Sequence, residues 1–306
     1  MLKKILFFSC LIILIPTIIV SIFIRNDEIT FNFSNNTVVR VYREKTKEID
    51  SVPIEEYVVG VLAGEMPINF SIEALKAQAV ASRSYVMKQL EKNRNNKYDV
   101  VDTVMNQVYL DKDYLMTVWS GSYQSNINKI KMAVLSTRGE YLSYDGKVAE
   151  ALFFSTSPGI TENSEEIFTN KEPYLRSVKS SWDEISPAYS KTYTYKLYEF
   201  YNCLDLKYSK ELKIEIVEKT STGRIKKIKI NGTTFTGSYI CSKLSLNSTF
   251  FTIISEEDKV IIKNKGFGHG VGMSQYGAEG MAREGYTYKE ILNYYYTNIE
   301  IKNFNA

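Results

Sequence analysis

From Ile5 to Ile24 the chain runs for 20 residues without a charged side chain, "ILFFSCLIILIPTIIVSIFI". That is about the length a helix needs to cross the hydrocarbon core of a bilayer. It divides the chain into a membrane-length segment and a remainder that must fold in water. Lys3 and Lys4 precede the run, and Arg25, Asp27 and Glu28 close it. This flanking charge predicts a cytoplasmic tip and a single-pass anchor over residues 1–25, with the bulk of the chain outside the cell membrane. No small-residue cleavage pattern follows, so an uncleaved anchor is expected rather than a removed signal peptide. Residues 26–37 are polar, lack periodicity and read as a stalk.

The remainder has the composition of a folded domain. Hydrophobic residues make up 44% of the chain and charged residues 24%, too apolar for disorder. The formal charge of +3 offers no basic stripe, so no nucleic-acid partner is expected. Ile54, Tyr57, Val58, Val61 and Leu62 recur at spacings of three and four, the signature of a buried helical face. Glu65 is the next position on that face. Pro67 drives Met66 out of the helical region, so the helix stops at or beside the acid. A second helix follows Ser71, with Ala74, Ala77, Gln78, Ala81 and Tyr85 on a face suited to close packing. One more helix is expected to about Leu135, then a hairpin through Asp145-Gly146. Turn signals at Gly223 and Asn231-Gly232 mark a further hairpin pair, and Thr287 with Glu290 matches a capping box. The expected class is α+β. Residues 38–190 and 256–306 form the main domain, and 191–255 form a smaller β-rich inserted subdomain.

Few residue types remain for chemistry. His269 is the only histidine, which removes histidine-rich zinc sites. It lies in the glycine-dense stretch "GFGHGVGMSQYGAEG", which suits a ligand-facing loop that also carries Gln275 and Tyr276. Ser155, Ser157, Thr161 and Glu162 cluster in "FFSTSPGITENSEEIF", but no G-x-S-x-G context supports a serine nucleophile. Cys203 and Cys241 are either free thiols or a disulfide in an oxidising exterior. A carboxylate that continues an apolar stripe is partly desolvated, which raises its pKa and suits Glu65 to general acid work on a glycosidic bond. A hydrolase needs a second carboxylate, for which Glu162 is the best remaining candidate.

Taken in order, "LAGEMPINFSIEALKAQAVASRSYV", "NQVYLD", "FFSTSPGITENSEEIF", "EPYLRSV", "CSKLSLNSTFF" and "GFGHGVGMSQYGAEGMA" resemble the successive blocks of the stage II sporulation protein D family. The resemblance runs over about 38–300, plus the anchor. It implies a lytic transglycosylase that cleaves the MurNAc-GlcNAc bond of denuded peptidoglycan strands with 1,6-anhydro-MurNAc formation, during engulfment of the forespore. It implies work beside stage II sporulation proteins P and M at the septum between mother cell and forespore. Glu65 matches the catalytic acid. Lys76 and Arg83 match polar positions expected to orient Glu65 or the glycan. Gln107, Tyr109, Ser155, Ser157, His269, Gln275 and Tyr276 match motif positions expected in the cleft. No cofactor is implied. Some relatives bind zinc just before the Gln-x-Tyr block, but Val101, Val104, Met105 and Asn106 supply no such ligand here. The family's Ser-x-Ser-Gly-Gly turn also departs, reading Ser155-Thr156-Ser157-Pro158-Gly159. The alternative reading is a non-catalytic, wall-binding amidase enhancer.

Overall fold

Two helices joined through Pro67 form the spine of the larger unit in the computed structural model, which describes residues 37–304. The expected anchor at 5–24 lies outside the described residues. Among those described, no helix is long and apolar enough to cross a membrane. Helix α1 (Ile54–Glu65) buries the predicted face, with Ile54, Tyr57, Val58, Val61 and Leu62 almost fully enclosed. It ends where proline dictates: Met66 is extended, at φ −116° and ψ 134°, and its N–H donates back to the Leu62 carbonyl at 3.1 Å. Helix α2 (Ile72–Lys92) crosses the middle of the core. Its fully buried Ala74, Ala77 and Ala81 let neighbouring helices approach closely.

Before α1, strand β1 (Val38–Tyr42) pairs antiparallel with β2 (Ile49–Pro53) and parallel with the two-residue β3 (Val100–Val101). The segment expected to hold one helix holds two, α3 (Lys112–Trp119) and α4 (Tyr123–Ser136). Ser120, at φ 43°, makes the break, and Ser120–Ser122 form a single 3₁₀ turn between the two helices. The hairpin at Asp145-Gly146 joins β4 (Glu140–Tyr144) to β5 (Lys147–Val148), and β14 (Glu300–Asn303) pairs with the other side of β4. Strand β6 (Phe153–Phe154) runs parallel to β13 (Met273–Ser274). Helices α8 (Gln275–Arg283) and α9 (Tyr288–Tyr295) close the unit, α9 starting on the capping box of Thr287 and Glu290.

A second core gathers residues from Leu197 to Ile262. Strands β7 (Ser190–Lys196), β11 (Phe251–Glu256) and β12 (Lys259–Lys265) form one antiparallel sheet with β12 in the middle. Strand β12 lies past the expected boundary at 255, and it buries Val260 and Ile262 in this second core because its ladders run to β7 and β11. Strands β8 (Ile214–Lys219), β9 (Ile225–Ile230) and β10 (Thr233–Thr236) form another sheet, with α6 (Leu197–Cys203) and α7 (Gly237–Lys243) packed beside them. Cys203 and Cys241 are free thiols.

A strap from the larger unit reaches this smaller one. It contains the short helix α5 (Ser164–Ile167). Glu162, fully buried, accepts a hydrogen bond from Thr222 and faces the buried Arg224 guanidinium at 4.0 Å. Glu166 pairs with Lys226 at 3.2 Å, and Arg224 donates to the Gly268 carbonyl at 3.2 Å. Glu162 is therefore a joint between the units.

Candidate active site

Helix α1 carries glycines at positions 60 and 64, one helical turn apart. A Cβ on Gly60 would stand 2.4 Å from the Tyr109 ring, and one on Gly64 would stand 2.9 Å from the Val108 carbonyl oxygen. The missing side chains let residues 108–110 lie directly on the helix, and Leu110 N–H donates to the Gly60 carbonyl at 3.2 Å. This contact brings Val108 N–H to Glu65 Oε1 at 2.8 Å. Gly60→Ala should lift that segment and lower the stability by about 1–3 kcal/mol through overpacking; equilibrium denaturation checks it.

The other carboxylate oxygen, Glu65 Oε2, accepts from Gln275 Nε2 at 3.3 Å. Gln275 opens α8, where the Ser274 hydroxyl caps the helix and also reaches the Asp183 carboxylate. Glu65 is half-buried, so one side remains open to a ligand. Burial is the largest influence on its proton and raises its pKa, while the bonds from Val108 and Gln275 pull the other way.

A cavity of about 540 Å³ is lined by Tyr85, Asn106, Phe153, His269 and the carboxylates Glu150 and Glu172, among others. Glu65 is not part of its wall. Three links tie them together. The Glu65 charge, after that of Glu150, acts on the Tyr85 phenol, adding to a pKa already raised mainly by burial. Asn106, in the wall, lies two residues before Val108. Phe153, also in the wall, pairs with Met273 two residues before Gln275.

Tyr85 has a distinctive hydrogen-bond economy. Asn106 Oδ1 accepts from Val101 N–H at 2.9 Å, which fixes the carboxamide so that its NH₂ faces Tyr85 and donates to the phenol oxygen at 3.0 Å. The phenol oxygen is thus an acceptor, and its own proton remains for a group in the cavity. Reading the sequence placed Tyr85 on a packing face of α2. The signal that finds it is the polar tip of an otherwise buried ring.

The other expected residues separate into groups. Gln275 touches Glu65, and Tyr276 packs edge-on against Phe70 at 5.0 Å. Gln107 is buried, accepting from Tyr57 OH at 3.1 Å, and Tyr109 stacks on Tyr57 with the Arg43 guanidinium 5.0 Å from its ring. Both brace the segment that holds Val108. Ser157 is buried, and its N–H donates to Asp183 at 2.7 Å. The Ser155 carbonyl accepts from Tyr276 N–H at 3.1 Å. Both serines shape the turn beside α8. Asp183 joins Ser157, Ser180 and Ser274, and burial raises its pKa to about 6.

His269 lines the cavity, but burial chiefly, with the Arg224 charge adding, lowers its pKa to about 4. Its Nδ1 accepts from Val271 N–H at 3.0 Å, so the ring is a neutral wall.

Two expected supports are committed elsewhere. Arg83 is fully buried in a two-pronged pair with Glu55, at 2.9 and 2.6 Å. Lys76 pairs with Glu73 at 2.7 Å and lies over the Tyr288 ring at 5.7 Å. Among the described residues no group of three or more His, Cys, Asp or Glu is placed to hold a metal.

The fold and site together define an α+β protein with a half-buried carboxylic acid, Glu65, set at a helix end near a cavity whose own wall carries Glu150 and Glu172. The family model described as "SpoIID: Stage II sporulation protein" matches residues 42–144. The chain is 42% identical over 273 residues to stage II sporulation protein D of Bacillus subtilis (strain 168), spanning 88% of this chain and 80% of that one. Against the protein of the same name from Bacillus amyloliquefaciens the identity is 42% over 268 residues, 86% of this chain and 78% of the other. It is also 29% identical over 300 residues to the amidase enhancer of Bacillus subtilis, spanning 80% of this chain and 40% of that one. The chain belongs to the stage II sporulation protein D family.

Proposed function

We propose that this sporulation-family protein is a lytic transglycosylase. Its substrate is the denuded peptidoglycan strand, cut between MurNAc and GlcNAc. The observation that carries the reading is Glu65: a half-buried acid with a raised pKa, held by one backbone and one amide donor from segments that continue into the wall of a sugar-sized cavity. Burial raises its pKa against the pull of those two donors, and of the two carboxylates in the cavity wall Glu150 is paired with Lys92 at 2.7 Å.

One acid suffices for this route. Protonated Glu65 gives its proton to the glycosidic oxygen as the bond to muramic C1 breaks. The C6 hydroxyl of the same muramic residue attacks C1, and its proton passes to the Glu65 carboxylate. A 1,6-anhydro ring forms, the new chain end carries a free hydroxyl, and Glu65 is protonated again. Val108 N–H and Gln275 Nε2 hold the ionised form between the two transfers. In this reading Tyr85 spends its free proton on a substrate oxygen next to the scissile bond. Tyr85→Phe should keep the fold and lower kcat roughly 10–100-fold with a smaller change in KM, by loss of one transition-state donor. Steady-state kinetics check it, and an unchanged kcat would confine Tyr85 to packing.

The same reading places the protein on a single membrane anchor facing the wall at the forespore septum, acting with stage II sporulation proteins P and M. Mass analysis of digested denuded strands tests the chemistry. Anhydro ends support the transglycosylase, reducing ends mean a hydrolase, and uncut strands mean a wall-binding amidase enhancer. The similarity to the Bacillus subtilis amidase enhancer keeps that last reading in view.

A further inference from the structure

A second cavity, of about 520 Å³, opens on the far side of His269. His269 lines both cavities, and the strap flanks both: Ser164 and Phe168 border the first, Glu166 and Ile167 the second. Gly268 lies beside His269 in the second wall, and the remainder comes from the smaller unit, including Thr220, Lys226, Lys227, Ser238, Asn247 and Thr249. Each cavity lies within the roughly 300–1,000 Å³ typical of small-molecule sites.

We infer that the second cavity is a distal glycan-binding subsite, so that a strand positioned for cleavage at Glu65 is held across both units. This rests on the transglycosylase reading and adds to it a length requirement on the substrate. Three observations carry it. The first is continuity: with His269 as a shared wall, a chain leaving one cavity past that ring meets the next. The second is chemistry. Hydroxyl and amide groups suit a ligand whose surface is hydroxyls and acetamides, with apolar sugar faces meeting Ile167, Ile225 and Leu246. The exposed ammonium of Lys227 suits the lactyl carboxylate that each muramic residue carries, although Glu218 shares it at 2.8 Å.

The third is preorganisation. Glu162 with Thr222, Glu166 with Lys226, and Arg224 with the Gly268 carbonyl pin the two walls together. Binding a strand there orders few groups that are not already fixed, which is where affinity is otherwise lost. The two cavities then act as linked sites on one ligand, and the second adds to affinity only when the strand is long enough to reach it.

The test uses the Glu65→Gln protein, so that strands bind without being cut. Calorimetry compares a GlcNAc-MurNAc tetrasaccharide with an octasaccharide. The octasaccharide should bind roughly tenfold or more tightly than the tetrasaccharide. Ser238→Trp, at an exposed position of the wall, should fill the cavity and erase that ratio. Lys227→Glu should lower it by repelling the lactyl groups, and serves if the bulky variant does not fold. Equal affinity for the two lengths, or a ratio untouched by both substitutions, overturns the subsite. Product analysis on the protein with Glu65 intact keeps the two ideas apart. Anhydro ends without length dependence reject the subsite and leave the Glu65 chemistry standing. Length-dependent binding without anhydro ends supports the subsite and rejects the transglycosylase.

Discussion

Glu65→Gln should fold, bind denuded glycan and release anhydromuramic products roughly 10²–10⁴-fold more slowly than the unmodified protein, the range for a general acid-base group. The amide keeps the shape of the carboxyl. Its oxygen still accepts from Val108 N–H, which the carboxylate meets at 2.8 Å. What it lacks is an acidic proton to give and a carboxylate basic enough to take one back. The pH dependence has a definite sign. The folded protein holds the Glu65 proton above the usual carboxylate range because burial penalises the anion. The acid form is therefore full below that raised pKa, and cleavage falls as the pH climbs through it. In Glu65→Gln the residual rate should lose this limb. Release of anhydro ends at near the original rate, from protein shown folded by circular dichroism, would remove Glu65 from the mechanism.

The parts of this site that were legible in the sequence are the parts set by local rules. The stripe Ile54, Tyr57, Val58, Val61, Leu62 and the Met66-Pro67 stop place Glu65 at the end of a buried helix face without any tertiary knowledge. The Thr287 and Glu290 cap is equally local. The motif resemblance supplied Gln275, which no periodicity links to an acid 210 positions earlier. Tyr85 was hidden because helical spacing reports which face is buried and not what the far tip of a long side chain meets. The break at Ser120 was missed because serine and glycine in an exposed stretch leave helix and turn close in energy, and tertiary packing decides. Glu162 presents a related difficulty: like Glu65 it is an acid withdrawn from solvent. Only the structure distinguishes a half-buried acid from one closed over by Arg224 and Thr222.

Arg83 poses that difficulty for a cation, and it yields the largest expected loss of stability. Its side chain is 0% exposed and that of Glu55 is 3% exposed. The guanidinium meets Glu55 through Nε at 2.9 Å and Nη2 at 2.6 Å, while Nη1 donates to the Glu140 carbonyl at 2.9 Å. Glu55 also accepts from Gly139 N–H at 3.1 Å. One pair thus ties the start of α1, the middle of α2 and the turn into β4. Arg83→Ala leaves Glu55 as a buried charge without its counter-ion, a change that costs about 3–5 kcal/mol. That is a large share of the roughly 5–15 kcal/mol that holds a domain folded. Arg83→Lys should recover only part, because an ammonium cannot make the two-pronged contact or reach the Glu140 carbonyl at the same time. The double substitution Glu55→Gln with Arg83→Met should be more stable than Arg83→Ala alone, since it removes the orphaned charge along with its partner. Urea denaturation of the three variants decides the matter. If instead Arg83→Ala melts with the parent protein and loses only cleavage, the arginine belongs to the cleft as its motif position implies, and the buried pair is not what keeps it there.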